Sequence, residues 1–264
     1  MKPHEEKRLN PQLMRNLHSA LVAKSEELFE IIRSTEQEVL RTALKNKNLH
    51  EEHLFMILKR RDLPEDLIRA ICQIEKKNPS RKLKLALVRN PSTPGPVLLS
   101  LLPHLYLFEL IDLCFLPGVT PDQKLAAERA IIQRLPEMEL GNKITLARRG
   151  TATVVAAILK EGKAQAVEAS LANSRLREVA ILQFLHGTTT TPETISAIAR
   201  HSKWQGRPNI RMAILKNRKT PSIWFTLYLP KQKTADLSQL LTGRRLNPNQ
   251  KKLVQEELNK RSGR

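Results

Sequence analysis

The chain has 264 residues and carries 45 Lys and Arg against 26 Asp and Glu, which gives a formal net charge of +19 at pH 7. Its two cysteines form no CxxC pair, which excludes a disulfide-stapled scaffold and a zinc ribbon. Glycines number nine and aromatic residues make up 4%, whereas Leu, Ala, Lys, Arg and Glu are abundant. The composition therefore predicts an all-α protein.

The N-terminal segment, residues 1–42, predicts a helical cap. Its apolar residues from Leu13 to Leu40 recur mostly every three or four positions, which is the spacing of one helix face. The segment lacks the turn motif found later in the chain, and terminal repeats are often atypical in this way. No apolar stretch follows the charged start MKPHEEKRLN, so no signal peptide is evident and we expect a cytoplasmic protein.

Two histidines, His50 and His53, stand three positions apart and could share a helix face. A helical zinc site of the common type needs histidines four positions apart and a third ligand, and this sequence supplies neither. Glu51 and Glu52 instead suit the first turn of a helix, where the helix dipole favours negative charge. We therefore expect no metal and no other cofactor.

A turn motif recurs through most of the chain. The stretch Ala86–Leu102, ALVRNPSTPGPVLLSLL, predicts a helix end, a turn and a new helix. Asn90 is expected to be left-handed after the first helix, and Thr93 is expected to cap the second helix before Pro94. Gly150 takes the place of Asn90 in a later copy. The expected caps are Thr93, Thr120, Thr153, Thr191, Thr220 and Asn247. Their spacing of 27 to 38 residues is typical of stacked helical repeats.

The Asn-x-x-Thr-Pro turn between short helices resembles the leucine-rich repeat variant family and, more loosely, HEAT-like repeats. The resemblance covers roughly residues 43–262 and implies a right-handed α-solenoid of short stacked helix pairs. Some proteins of the first family carry a cysteine-ligated iron–sulfur cluster, which needs four thiolates. Cys72 and Cys114 cannot supply them, so we expect both to be core residues. The expected organisation is thus a cap over 1–42 and a repeat solenoid over 43–264.

The most apolar stretch, Val97–Leu116, raises the question of a membrane span. It contains Pro103, Glu109 and Asp112, and charged side chains are costly in the middle of a membrane. We therefore expect two buried helices that are broken at Pro103, and no membrane span.

Further along, short helices are expected over 121–135, 154–160, 164–172 and 176–185, with glycines at their ends. None of these glycines falls in a phosphate-binding pattern, and the sequence contains no GxSxG, HExxH or kinase signature. The motifs give no support to an enzyme.

The charge is unevenly distributed. Residues 1–75 hold 13 basic and 13 acidic side chains, so the whole +19 lies in residues 76–264, where 32 basic residues face 13 acidic ones. The last part, 200–264, holds 16 basic and 3 acidic residues, a net of +13. Such asymmetry indicates an anionic partner.

Cations precede the turn residue in several copies of the motif, and residues at one repeat phase should lie along one edge of a solenoid. Helix C-termini also attract cations through the dipole, which is an alternative reason for their position. Trp204 could stack on a nucleic-acid base, or it could pack beneath a turn between repeats. The candidate polyanion-binding residues are Arg89, Arg148, Arg149, Arg200, Lys203, Trp204, Arg207, Arg211, Lys216, Arg218, Lys219, Arg244 and Arg245.

Three functions remain compatible with the sequence. The first is a non-enzymatic protein that grips nucleic-acid backbone, DNA or RNA, along one basic edge. The second is a scaffold for an acidic protein. The third is an enzyme similar to HEAT-like DNA glycosylases, which would need a carboxylate such as Asp236 beside Trp204 or Trp224. We expect the first.

Overall fold

The structure is a computed structural model that describes residues 10–243 and 245–262. Within these ranges the chain forms 18 α-helices and three 3₁₀ helices, and no strand occurs. The predicted all-α fold is confirmed. The chain divides into two compact units; unit 1 ends at Ala130 and unit 2 begins at Ile131. A separate cap over 1–42 stays a prediction.

The helices of unit 1 are short and follow one another closely. They are α1 (Pro11–Val22), α2 (Ser25–Ile31), α3 (Gln37–Ala43), α4 (Glu51–Leu58), α5 (Glu65–Lys77), α6 (Arg81–Arg89), α7 (Gly95–Leu101) and α8 (Leu107–Leu113). The next helix, α9 (Pro121–Arg134), begins in unit 1 and includes the boundary at Ala130. The expected break at Pro103 is present, as a 3₁₀ turn over Leu102–His104 between α7 and α8. Cys72 and Cys114 are both buried in this unit, as expected.

Unit 2 also consists of short helices that follow one another closely. Its helices are α10 (Leu140–Arg149), α11 (Ala152–Glu161), α12 (Ala164–Leu171), α13 (Glu178–His186), α14 (Pro192–Arg200), α15 (Pro208–Leu215), α16 (Ser222–Tyr228), α17 (Thr234–Thr242) and α18 (Pro248–Ser262). The remaining 3₁₀ turns are Leu135–Glu137 and Leu229–Lys231. Aliphatic side chains dominate one core, which runs from Val155 to Val254 and also takes in Trp204, Trp224 and Phe225.

No helix in the described part of the chain is both long enough and apolar enough to cross a membrane. The apolar stretch of unit 1 is buried in part: Leu98, Leu101 and Leu110 are each at most 3% exposed, whereas Leu99 and Phe108 are exposed. Burying such side chains is the main favourable contribution to folding, at about 25 cal/mol per Å² of apolar surface.

Some of the expected caps are confirmed. The hydroxyl of Thr191 accepts a hydrogen bond from the backbone N–H of Thr194, and the hydroxyl of Thr120 accepts one from that of Gln123. The expected cap at Thr153 is wrong, because α11 already begins at Ala152 and Thr151 caps it.

Thr93 and Thr220 do not cap the helices that follow them. The hydroxyl of Thr93 donates to the carbonyl of Leu87, and that of Thr220 donates to the carbonyl of Ile214 at 2.6 Å. Each threonine therefore closes the end of the preceding helix, whose last carbonyls lack partners inside the helix. The proline after each threonine occupies the N-cap position instead.

The expected left-handed conformation after the helices is also wrong. Asn90 has φ −75° and Gly150 has φ −67°, both in the extended region, and no described residue other than glycine has a positive φ. The asparagine is needed for its side chain. The amide of Asn90 is buried and donates to the carbonyls of Leu58 and Arg60 in the turn after α4, at 2.8 and 2.7 Å.

Among the described residues, six amide side chains make this kind of contact with the turn one repeat earlier and also accept a backbone N–H of their own turn. The asparagines are Asn46, Asn90, Asn173 and Asn217, and the glutamines are Gln123 and Gln250. In each case the amide nitrogen donates to one or more carbonyls at a helix end or in the turn after it, 23 to 35 residues back in the chain. We call this set the amide ladder.

The amide oxygens have a second role, because each also accepts a backbone N–H close to it in sequence. For the four asparagines the donor is the residue two positions later, as with the N–H of Arg175 on Asn173. For the two glutamines it is the cap residue three positions earlier, as with the N–H of Asn247 on Gln250. One side chain thus satisfies the preceding turn and fixes the shape of its own.

Alternate helices of unit 2 pack side by side: α10 on α12, α12 on α14, α11 on α13 and α13 on α15. Adjacent helices run antiparallel, since only Gly150 and Thr151 connect α10 to α11 and since Lys143 at the start of α10 bridges Glu161 at the end of α11 at 2.7 Å. The even-numbered helices therefore end on one side of unit 2 and the odd-numbered helices on the other. A helix of eight to ten residues separates the two sides by about 12 to 15 Å.

We call the turns after α10, α12, α14 and α16 the first turn series, and those after α11, α13, α15 and α17 the second turn series. Neighbouring turns within a series are hydrogen bonded to each other. In the first series the indole N–H of Trp204 donates to the carbonyl of Leu171 at 3.0 Å. In the second, the hydroxyl of Thr189 donates to the carbonyl of Lys160 at 2.8 Å.

The second turn series contains one close backbone approach. Gly162 has φ 75°, and a Cβ atom built there would stand 2.5 Å from the carbonyl oxygen of Thr189. Glycine is therefore required for both the left-handed conformation and the space.

We predict that Asn173→Ala destabilises the protein by about 1 to 3 kcal/mol, because it removes the donor to the carbonyls of Ala147, Arg148 and Gly150. The measurement is urea unfolding followed by circular dichroism. Asn209→Ala is the matched control, since Asn209 is exposed on α15, and it should leave the midpoint within error. Equal effects of the two substitutions would contradict the role given to the ladder.

Candidate polyanion-binding surface

The two units differ in charge. Unit 1 has 21 basic and 17 acidic residues in its sequence, a net of +4, whereas unit 2 has 24 basic and 9 acidic residues, a net of +15. The excess positive charge therefore belongs chiefly to unit 2, where its position relative to the two turn series decides what it can bind.

The first turn series and the residues beside it carry exposed cations at every turn. They include Arg148 and Arg149 at the end of α10, Arg177 after α12, Arg200, Lys203 and Arg207 at the end of α14 and after it, and Lys231 and Lys233 after α16. Of these eight, only Arg207 forms a salt bridge, with Glu178 at 3.2 Å, among the described residues. Consecutive turns thus carry exposed positive charge, and carboxylates neutralise little of it.

The second turn series carries a smaller group. Its described cations are Lys160, Lys163, Lys216, Arg218, Lys219 and Arg245, and the turn after α13, residues 187–191, has none. Arg244, one of the sequence candidates, lies outside the described residues. The first series therefore has the more continuous charge.

The expected single row of cations is wrong for unit 2. Arg149 ends α10 and belongs to the first series, whereas Lys216 follows α15 and belongs to the second. The two lie on opposite sides of the unit, because the turn motif occurs after both even-numbered and odd-numbered helices. Arg89 is in unit 1, on α6, where it lines an open groove.

Two candidate lysines contact backbone carbonyls. The amino group of Lys219 donates to the carbonyls of Thr188 and Thr190 at 2.9 and 2.7 Å. That of Lys203 lies 3.4 Å from the carbonyl of Asn173. The attraction of cations to carbonyls near helix ends explains these two lysines. No such contact occurs for Arg148, Arg149, Arg200 or Arg218 within the described part of the chain.

Trp204 lies in the core rather than in a binding groove. It is 2% exposed, its indole N–H is bonded to Leu171, and the amino group of Lys203 stands 4.5 Å from its ring centre. The ring is therefore not available to stack on a base, and the alternative interpretation, packing beneath a turn, fits its environment. The amino group of Lys203 lies over the indole ring in a cation–π contact.

Arg211 is less free than the sequence suggests. Its Nε donates to the carbonyl of Gln205 at 2.7 Å, and its guanidinium lies 5.7 Å from the ring centre of Tyr228. The nearby His201 adds no charge at neutral pH, because burial and then the charge of Lys203 lower the pKa of its imidazole.

Sequence reasoning missed three cations of the first series: Arg177, Lys231 and Lys233. They stand just before α13 and α17 or in the 3₁₀ turn after α16, not just before a left-handed position. The signal that could have found them is their sequence separation from other cations: Arg177 follows Arg149 by 28 residues, and Lys231 and Lys233 follow Lys203 by 28 and 30 residues. These separations fall within the range that separates hydrogen-bonded turns.

His53, one of the two histidines considered above as metal ligands, has both ring nitrogens hydrogen bonded within the protein. Nδ1 of His53 accepts the backbone N–H of His50, and Nε2 donates to the carbonyl of Ser25, both at 2.9 Å. His53 is fully buried in these contacts. The described residues contain no group of three or more His, Cys, Asp and Glu side chains that could hold a metal ion.

The carboxylate and aromatics of a glycosylase-type site are not arranged for that chemistry. Trp224 is 9% exposed and its indole N–H is bonded to the hydroxyl of Ser196 at 2.9 Å, and Trp204 is likewise buried. Asp236 stands in the first turn of α17, and the indole N–H groups of both tryptophans donate to other residues.

Comparison with known proteins gave no match to a family model, to a curated protein or to a solved structure.

We predict that the fluorescence of Trp204 and Trp224 is poorly quenched by iodide in the folded protein and strongly quenched after unfolding in guanidinium. Both rings are at most 9% exposed and these are the two tryptophans of the chain. Quenching of the folded protein as strong as that of free tryptophan would show that a ring is accessible to a base.

A second prediction concerns the thiols. Burial, followed by the charge of Glu128, raises the pKa of the Cys114 thiol to about 12, and burial also raises the pKa of the Cys72 thiol. Both should react with dithiodipyridine at least about 100-fold more slowly than free cysteine at mildly alkaline pH. Unfolding should release two reactive thiols; rapid reaction before unfolding would contradict this result.

Proposed function

We propose that this chain is a non-enzymatic helical-repeat protein that binds a polyanion, in the first place the phosphate backbone of a nucleic acid. We further propose that the helix pairs of each unit stack as a right-handed α-solenoid of the HEAT-like kind. Contacts between residues 23 to 35 positions apart, repeated along both units, support the repeat part of this proposal.

The observation that carries the function is the first turn series. Turns that are hydrogen bonded to one another each present exposed cations, and one of the eight is paired with a carboxylate in the described structure. A surface of this kind costs free energy through repulsion unless an anion covers it. An extended anion fits it better than a small one, because the charge continues from turn to turn.

The dimensions suit a phosphate backbone. Neighbouring turns follow helices that pack about 10 Å apart, and duplex DNA carries one charge per about 1.7 Å of its axis. Arginines at successive turns can therefore reach different phosphates of one strand. One guanidinium group can donate two parallel hydrogen bonds to one phosphate. The principal contacts proposed are therefore Arg148, Arg149, Arg177 and Arg200.

Sequence-independent binding is the mode that the surface supports. Base stacking on single strands needs exposed aromatic rings, and both tryptophans are buried. We therefore propose that the protein holds structured DNA or RNA through its backbone. An acidic protein is the second candidate for the same cations, and salt dependence separates the two.

The test is binding of a short labelled DNA or RNA duplex, measured by fluorescence anisotropy at increasing salt. For the wild type, log K should fall linearly with log salt, with a slope of about 0.9 per phosphate contacted. The variant Arg148→Gln/Arg149→Gln/Arg200→Gln should bind more weakly and its slope should be shallower by roughly 2 to 3.

Two matched variants remove the same charge elsewhere. Lys163→Gln/Arg218→Gln/Arg245→Gln alters the second turn series, and Arg15→Gln/Lys124→Gln/Arg129→Gln alters exposed cations of unit 1. Both should retain most of the affinity and the slope. An equal loss in all three variants would show that net charge alone drives binding, and no binding by the wild type would refute the proposed function.

A further inference from the structure

Unit 1 contains an open groove of about 510 Å³ between α4 and α6, next to the turn that follows α8. Its apolar lining comes from Phe55 and Leu58 of α4, Leu85 of α6 and Leu116 of the turn. Leu58 is buried, and the other three are half-buried, so the groove has an apolar floor that solvent can reach.

Four cations surround this floor and no Asp or Glu lines it. They are Lys59, Arg61, Lys82 and Arg89. All four are exposed, and none of them forms a salt bridge within the described residues. This concentration of charge is local, since unit 1 as a whole is close to neutral with a net of +4.

The cations come from elements that fix their separation. Lys82 and Arg89 are seven positions apart on α6, which places them on one face about 10 Å apart along the helix. Lys59 and Arg61 come from the residues just after α4, a different element of the lining. The groove therefore combines positive charge from two elements with an apolar floor.

Arg61 lies at one end of the groove, beside the turn that follows α8. Its guanidinium stands against Gly118, whose φ is 85°, and a Cβ atom built there would stand 2.8 Å from Nη2 of Arg61. The carbonyl of Arg61 accepts a hydrogen bond from the hydroxyl of Ser92 at 2.6 Å, which ties the backbone at this end of the groove to the turn after α6.

We propose that this groove docks an acidic amphipathic segment of a partner protein, with carboxylates on the cations and apolar side chains on the floor. Charge complementarity identifies the carboxylates, and the leucine and phenylalanine floor identifies the apolar side chains. A phosphate backbone would leave the floor uncovered. The inference does not rest on the function proposed for unit 2.

The test uses two labelled peptides of equal length and charge with the full-length protein. One alternates Glu and Leu with helical spacing, and the other replaces every Leu by Ser. We expect the leucine peptide to bind at least fivefold more tightly than the serine peptide. The charge-reversed variant Lys82→Glu/Arg89→Glu should lose at least a further fivefold, and Leu85→Ser should selectively weaken the leucine peptide.

Controls separate this site from the first turn series. Arg15→Glu/Arg129→Glu, with the same charge change in unit 1, and Arg148→Gln/Arg149→Gln/Arg200→Gln in unit 2 should both bind the leucine peptide as the wild type does. Circular dichroism verifies that each variant is folded. Equal binding of both peptides, no binding of either, or unchanged binding by the Lys82→Glu/Arg89→Glu variant would overturn the proposal.

Discussion

The structure depends on one interaction, the donation of side-chain amides to the turn of the preceding repeat. A helix ends with carbonyls that have no partner within it, and when such groups are buried they cost free energy. Asn173 serves three of these carbonyls at once, and Gln250 does the same at the other end of unit 2. The hydrophobic core supplies more free energy, but it does not by itself fix which turn lies beside which. The amides do so.

The same interaction governs the surface. Because the oxygen of an asparagine amide also accepts the N–H two positions later, the ladder fixes the turns that carry cations, as Asn217 does for Lys219. The cations of these turns therefore stand on backbone whose conformation is restrained by hydrogen bonds to the ladder. The ladder residue Asn173 and the cations proposed to bind a polyanion lie in the same turn series, so substitutions there need controls for stability.

Much of the fold could be predicted from the sequence. Helix content follows from composition, and the break at Pro103 follows from the chemistry of proline. The role of Asn90 could not be predicted, because an asparagine at a helix end fits a left-handed residue as well as a donor to a distant carbonyl. The left-handed conformation can be inferred from neighbouring residues, whereas the donor role depends on a turn about 30 residues earlier.

The candidate site was predicted less well, for a related reason. The turn motif marks helix ends but not their direction, so Arg149 and Lys216 looked equivalent although they lie on opposite sides of unit 2. Aromatic residues beside cations are equally ambiguous, and Trp204 proved to be a core residue whose neighbours happen to be basic. What the sequence did establish was the charge of the region, because composition does not depend on packing.

The ladder also has a direction. Every amide reaches back to carbonyls that were synthesised 23 to 35 residues earlier, and none waits for a later segment. A growing chain that leaves the ribosome can therefore complete each turn as soon as its own asparagine or glutamine emerges. Assembly in this order keeps few apolar surfaces exposed at any moment.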